Sequence, residues 1–465
     1  MQSKLIKKTT EDAINPLDGR YFDKTRALSP YFSEEGLMKY RVMVEGEYLI
    51  SLSVLDKLAL RKFTPKEKEV IQNLYQKFDE VSYKKIKNIE KTINHDVKAV
   101  EYFMKDELSK TSLCDSIEWV HFALTSEDTN NIAYALILST SIEKVIIPNI
   151  KEIVFNLNKL AFKYKDLSML ARTHGQSASP TTFGKEMKVF AFRLEKKLKE
   201  LQNIKIEAKL NGATGNYNAH IIAYPNIDWK KFTKDFISGL NNLENRTLKL
   251  QSNLITTQIE CHDSYVSIFD KLRQINTILI GFNQDIWRYI SDNYINQKIK
   301  EGEVGSSTMP HKINPIDFEN SEGNLGLANA LFEFFAHKLP ISRLQRDLSD
   351  STVERAFGTA FGHSFLAYTS LLKGLSKIIV NEIRIKEDLN NHPEIITEAI
   401  QTILRREGIA MPYEKLKELT RGKQITLSDI HNFIETLEVS EKIKKEFLKI
   451  TPENYTGLAS ILAKM

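Results

Sequence analysis

Residues 263–289 read DSYVSIFDKLRQINTILIGFNQDIWRY, and their spacing decides the fold class. Tyr265, Ile268, Leu272, Ile275, Leu279, Phe282, Ile286 and Tyr289 recur every three or four positions, one face of a long helix. Asp263 is placed to cap its start. Two further stripes repeat the pattern. One runs Ile150, Ile153, Val154, Leu157, Leu160, Ala161, Tyr164, the other Met187, Phe190, Ala191, Leu194, Leu198, Leu201. No proline lies between Pro225 and Pro310 or between Pro340 and Pro393, so long unbroken helices fit both gaps. Alternating strand patterns and Asn-Gly hairpin turns are scarce. The expectation is an all-α protein with three helical domains: 1–118, with turn signals at Asn15-Pro16 and Phe63-Thr64-Pro65; a central long-helix bundle over 119–368; and 369–465, broken at His392-Pro393, Met411-Pro412 and Thr451-Pro452. Such helices carry more apolar face than one chain covers, which favours oligomerisation through the bundle.

The 465 residues are 42% hydrophobic and 27% charged, the balance of a globular protein. A net charge of +5 without a basic block gives no footing for nucleic acid and suits a small anionic substrate. Cys114 and Cys261 stand far apart, so neither a disulfide framework nor a zinc site is expected. The start, MQSKLIKKTTEDAINP, lacks the apolar run of a signal peptide, and no run of about 18 apolar residues promises a membrane span. A reduced cytoplasmic protein is expected.

Gly305-Ser306-Ser307-Thr308-Met309-Pro310-His311-Lys312-Ile313-Asn314 is a poor core segment, entered by glycine and broken by proline. It offers hydroxyls and a cation six residues after Ser306. That pairing suits chemistry in which a proton leaves carbon while negative charge builds nearby. Arg172-Thr173-His174-Gly175-Gln176 supplies a histidine able to exchange a proton near neutral pH; the ordinary alternative is a hydrogen-bonded histidine at a helix end. Thr125-Ser126-Glu127-Asp128 reads as a helix start with Ser126 as cap, and helix-start amides can also grip an anion. Asn94-His95-Asp96 sets an imidazole beside a carboxylate. Asp18-Gly19-Arg20-Tyr21 places an arginine and an aromatic ring in a turn, and 211–220 (NGATGNYNAH) is a glycine-punctuated loop. Gln258 reads as an ordinary solvated helix residue. Residues 342–355 concentrate arginines, with Ser351 and Arg355 one helical turn apart and able to share an anion. Motifs for metals, dinucleotides and phosphate loops are absent, so side chains alone are expected to carry any chemistry, with no cofactor and no metal.

Gly-Ser-Ser-x-Met-Pro-x-Lys-x-Asn at 305–314 resembles the signature of the fumarase/aspartase superfamily, whose members eliminate fumarate or a relative from a succinyl group. The blocks at 16–21, 94–101, 125–131, 211–220, 346–355 and 412–422 are similar to the branch that acts on succinylated purine-pathway nucleotides, in its bacterial form. The resemblance spans nearly the whole chain. It implies β-elimination of fumarate from adenylosuccinate, giving AMP, and from the succinylated aminoimidazole carboxamide ribotide, by general acid–base catalysis. It also implies a homotetramer whose active sites draw motifs from three subunits. By the same resemblance Ser306, rather than Ser307, is the base, and His174 protonates the leaving nitrogen. Lys312 and Asn314 hold the reacting carboxylate, and Gln258 contacts the reacting region. Thr125 and Ser126 bind the succinyl carboxylate. Arg20, Tyr21, Asn94, His95 and Asp96 meet the nucleotide, and Arg346, Ser351 and Arg355 add phosphate and ribose contacts. Sister lyases acting on argininosuccinate, fumarate or aspartate are the nearest alternative, and a scaffold protein that keeps the fold without turnover is a more distant one.

Overall fold

The computed structural model describes residues 12–243, 246–298, 309, 312–410, 414 and 425–465. Helices dominate. The opening stretch forms one helix, Asp263–Ser291, and every position of its stripe is buried except Tyr289, which is partly so. The other two stripes lie on Ile147–Lys163 and Phe183–Gln202 and are buried likewise, Leu160 only partly. Helix Ser126–Ser141 is buried nearly all round, its polar residues included. Together with Ile147–Lys163 it is apolar enough for a membrane by composition, yet 83% of the most apolar window is buried inside the fold, as in a bundle core.

By contacts the chain divides into two compact units, each described by itself: residues 1–150, 197–277 and 323–369, and residues 151–196, 278–322 and 370–465.

In the first unit, Glu34–Leu52 packs against Pro65–Gln76 and Ser126–Ser141. Ser33 caps Glu34–Leu52 by accepting from Gly36 N–H at 3.0 Å. Thr64 and Glu67 exchange bonds at the head of Pro65–Gln76, a capping box with proline at its start, as the turn signal there leads one to expect. Aromatic rings fill the centre: Phe269 lies 5.6 Å from Phe332 and 5.1 Å from Phe357, and Phe361 continues the cluster to Phe32. A short parallel pair, Ile206–Ala208 with Leu250–Ser252, departs from pure helix.

In the second unit, antiparallel strands Ser168–Thr173 and Gln176–Thr182 form a hairpin. Its closing residues, His174 (φ +54°) and Gly175 (φ +75°), both take the left-handed conformation that two-residue hairpin turns require. The His174 segment is therefore a strand-and-turn unit, not the helix end of the ordinary reading. Leu170 of the first strand enters an apolar cluster with Leu389, Ile396, Ile400, Ile430 and Ile434 of the carboxy-terminal helices. Gly184 permits the following helix to approach residues 161–165: a Cβ there would lie 2.3 Å from the Ala161 carbonyl oxygen. Ile295–Gln297 pairs with Ile378–Val380. The break expected at Met411-Pro412 lies outside the described residues, and the one at His392-Pro393 opens a short 3₁₀ turn, Pro393–Ile396.

Candidate active site

In the first unit the polar blocks form a web of buried charge. Thr125, not Ser126, is the cap of Ser126–Ser141: Thr125 N–H donates to Asp128 Oδ2 at 2.9 Å, and Ser126 opens the helix. Asp128 is fully buried. It pairs with the equally buried Lys209 at 2.9 Å and accepts from Asn211 N–H at 3.0 Å and Gly212 N–H at 3.1 Å. This carboxylate thus ties the 211–220 loop to the helix start, where Thr125 and Ser126 are partly exposed. The loop is pressed tightly at Gly215 (φ +78°), where a Cβ would lie 2.2 Å from Thr256 O.

Asn94 ends helix Glu80–Ile93 in the left-handed conformation, and His95 begins Asp96–Ser109. His95 Nδ1 accepts from Lys98 N–H at 3.2 Å, so the cap fixes the tautomer that leaves Nε2–H free to donate. Asp96 Oδ2 lies 2.9 Å from both Arg41 and Arg355. Burial alone would raise its carboxyl; Arg41, the Val97 N–H and Arg355 outweigh that and bring it down to about 2. Arg355 also lies 3.9 Å from Glu34. It also lines a cavity of about 190 Å³ with Asp18, Thr25 and Ser29. Arg20 is exposed, its guanidinium 5.8 Å from the Tyr21 ring.

Gln258 corrects the sequence reading. It lies in a loop before Asp263–Ser291 and knots several segments together. Its Nε2 donates to Ala213 O at 2.9 Å, its carbonyl accepts from Lys209 Nζ at 2.8 Å, and Arg346 donates to its Oε1 at 3.4 Å. Arg346 also pairs with Glu127 at 3.0 Å. Ser351, on the short helix Ser349–Glu354, is partly exposed.

Sequence reading passed over several members of this web. Arg41, Glu45, Lys209 and His262 are buried and no local motif marks them; Glu127 and Glu354, also buried, lie inside the 125–131 and 346–355 blocks without an assigned role. His121, in the left-handed conformation at φ +62°, meets Glu45 at 2.6 Å, and Thr129 donates to the same oxygen at 2.7 Å. Burial would lower the His121 imidazole, but Glu45 overrides it and raises it. A larger cavity of about 500 Å³, between Glu47–Lys57 and Asn226–Leu240, contains none of these candidate residues.

The second unit carries His174, Lys312 and Asn314. His174 is exposed at the hairpin tip. Behind it, Arg172 on the first strand donates to Tyr294 Oη at 3.0 Å and pairs with Asp388, which also accepts from Tyr294. Ser177 on the second strand contacts His392 at 3.2 Å, and Ser179 donates to Glu398. Lys312 is exposed and Asn314 partly so; Gln297 donates to Ile313 O at 3.1 Å. Ser306 and Ser307 lie outside the described residues.

Among known proteins, the family model described as "Lyase" matches residues 19–329, and that described as "Adenylosuccinate lyase C-terminal" matches 342–456. An adenylosuccinate lyase of Haemophilus influenzae is 49% identical over 97% of this chain and 98% of its own length. One of Dictyostelium discoideum is 50% identical over 96% of each chain, and one of Escherichia coli 46% identical over 96% and 97%. Among solved structures, a 3-carboxy-cis,cis-muconate lactonizing enzyme of Pseudomonas putida superposes with a TM-score of 0.71 at 17% identity, covering 94% of this chain and 95% of its own. A fumarate lyase of Mesorhizobium superposes at 0.70 and 16%, covering 95% and 96%. These two likenesses establish the mostly helical fold.

Proposed function

We infer that this chain, which belongs to the adenylosuccinate lyase family, removes fumarate from adenylosuccinate to leave AMP, and from the succinylated aminoimidazole carboxamide ribotide (SAICAR) to leave AICAR. The observation that carries this reading is identity near one half, sustained over almost the full length of curated adenylosuccinate lyases.

In the reaction, a proton leaves the carbon beside a succinyl carboxylate and its electron pair forms the new C=C bond. The neighbouring C–N bond breaks, and the nitrogen keeps the C–N bonding pair and takes up a proton. The difficult species is the carbanion, stabilised by delocalising charge into the carboxylate and by cations and N–H groups aimed there. In the proposed assignment Ser306 removes the proton. A serine hydroxyl needs activation for this, from nearby positive charge and a closed, dry loop. His174 protonates the leaving nitrogen, and Lys312 and Asn314 hold the carboxylate that receives charge. Thr125 and Ser126, at the positive end of a 16-residue helix, suit the other succinyl carboxylate. Gln258 contacts the reacting region, and Arg20, Tyr21, Asn94, His95, Asp96, Arg346, Ser351 and Arg355 hold the nucleotide. The Asp96–Arg355 pair and the Nε2–H left free on His95 support that role.

The working form is proposed to be a cytoplasmic homotetramer with sites shared between subunits, and 1–118, 119–368 and 369–465 its three helical domains. Exposed apolar side chains on long helices support assembly: Phe155, Phe162 and Phe192 in the second unit, Leu327 and Phe334 in the first. Fumarate release, followed by absorbance from both succinyl nucleotides and from argininosuccinate, tests the function. Release from the nucleotides alone is expected; release only from argininosuccinate contradicts it, and an intact tetramer without turnover would revive the scaffold alternative.

A further inference from the structure

Beneath Arg346 lies a cluster that the reaction as described leaves unused. Glu127, Asp350, Glu354 and Glu260 are all buried, at 1%, 3%, 2% and 0% exposure. Against these four carboxyls the cluster sets two cationic groups, Arg346 and His262. Glu127 Oε2 is 3.0 Å from Arg346, Asp350 Oδ2 is 3.6 Å from it, and Glu354 Oε1 is 3.3 Å from His262 Nε2. Other charges packed around Glu127 are committed elsewhere: Arg41 to Asp96, Lys209 to Asp128, and Glu45 to His121. Burial raises both the Glu127 and the Glu354 carboxyls, and Arg346 and His262 only partly offset this, so the two do not both stay ionised. Glu127 Oε1 is buried without a hydrogen-bond donor, as expected of a carboxyl that holds a proton of its own.

We propose that Glu127 is a positioning residue that competes with the nucleotide phosphate for Arg346, and that a proton held within the Glu127–Glu354 pair keeps the guanidinium available. While Glu127 is neutral, it accepts or donates a hydrogen bond but does not neutralise Arg346. When the proton leaves, Glu127 becomes an anion already in place, and the incoming phosphate must displace it. Burial, then the charge of Glu354, pushes the Glu127 carboxyl upward, and Arg346 and His262 only partly offset this. The handover therefore falls on the alkaline side of neutrality. Tyr134 and Tyr265 border the cluster and stay neutral there, since burial raises both hydroxyls.

This inference rests on Arg346 contacting the nucleotide phosphate, and the test separates the two claims. AMP is the probe, because its binding does not depend on the acid–base step and its phosphate is fully ionised above about pH 7. Its dissociation constant is measured on the full assembly by calorimetry between about pH 7 and pH 9.5. In the wild type it should rise roughly tenfold, the scale of one charge-assisted contact. Glu127→Gln, which cannot ionise, should abolish the rise and keep tight binding, and Glu354→Gln should move it to lower pH by removing one like charge. Arg346→Ala should bind weakly at every pH. A flat wild-type profile overturns the proposal, as does a Glu127→Gln profile that still rises. If Glu127→Gln does not fold, the wild-type and Glu354→Gln profiles decide: an unshifted rise in Glu354→Gln overturns it. AMP affinity unchanged in Arg346→Ala overturns instead the assignment of Arg346 to the phosphate.

Discussion

The first unit holds its polar blocks in ion pairs with one another, whereas the second presents an exposed histidine on a two-residue turn. Asp96 sits between Arg41 and Arg355, Asp128 pairs with Lys209, and Glu127 pairs with Arg346. On the proposed assignment a substrate anion there would replace or join an existing contact, in a geometry fixed before binding. His174 has the opposite setting. The hairpin behind it is anchored through Arg172, Ser177 and Ser179, but the ring itself is solvent-facing. A general acid works within hydrogen-bond reach of its leaving group and away from bulk water. On the proposed assignment the anion web serves binding, and the hairpin delivers an acid into a site completed by other subunits.

Substitutions should separate the two regions. The largest effect is expected for His174→Ala: kcat falls about 10²- to 10⁴-fold, while the melting temperature and AMP affinity hardly move, because the side chain is exposed. A large loss of stability would mean that the tip is structural. Asp96→Ala should reverse the pattern. It strands buried Arg41 without a counter-charge, at a cost of about 3–5 kcal/mol in denaturant unfolding, and weakens AMP binding. Asp388→Asn should loosen the hairpin's anchor, lowering kcat roughly tenfold with KM nearly unchanged; a change confined to KM would break the distinction. The smallest effect concerns pH. His262 is raised to about 8 by Glu354 and Glu260 against its burial. The stability it contributes is complete below its ordinary value near 6.5 and lost as pH climbs through 8, about 2 kcal/mol in chemical denaturation. Glu127, also raised, acts in the same direction. His262→Gln should flatten the decline.

The same contrast governs what the sequence discloses. The stripes of Asp263–Ser291, Ile147–Lys163 and Phe183–Gln202 are legible because burial of one helix face imposes a period on the residues themselves. Capping boxes at Thr64 and Thr125 are nearly legible, off by one residue at the second. The hairpin is not, since its strands are short and its turn is His-Gly instead of Asn-Gly. Gln258 reads as an unremarkable residue because its importance lies in partners distant in sequence. Lys209–Asp128 and Arg41–Asp96 are invisible for the same reason: a buried ion pair leaves no periodic trace. The motif blocks name residues of the proposed site, but not that Arg346 already has an anionic partner.

The claim at the centre is that the acid on the hairpin acts in a site completed by other subunits. Inactive His174→Ala and Ser306→Ala proteins can be mixed under conditions of demonstrated subunit exchange and assayed for fumarate release from adenylosuccinate. Recovered activity is the predicted result, since some sites then combine an intact His174 with an intact Ser306 from different chains. Exchange without any recovery would contradict it.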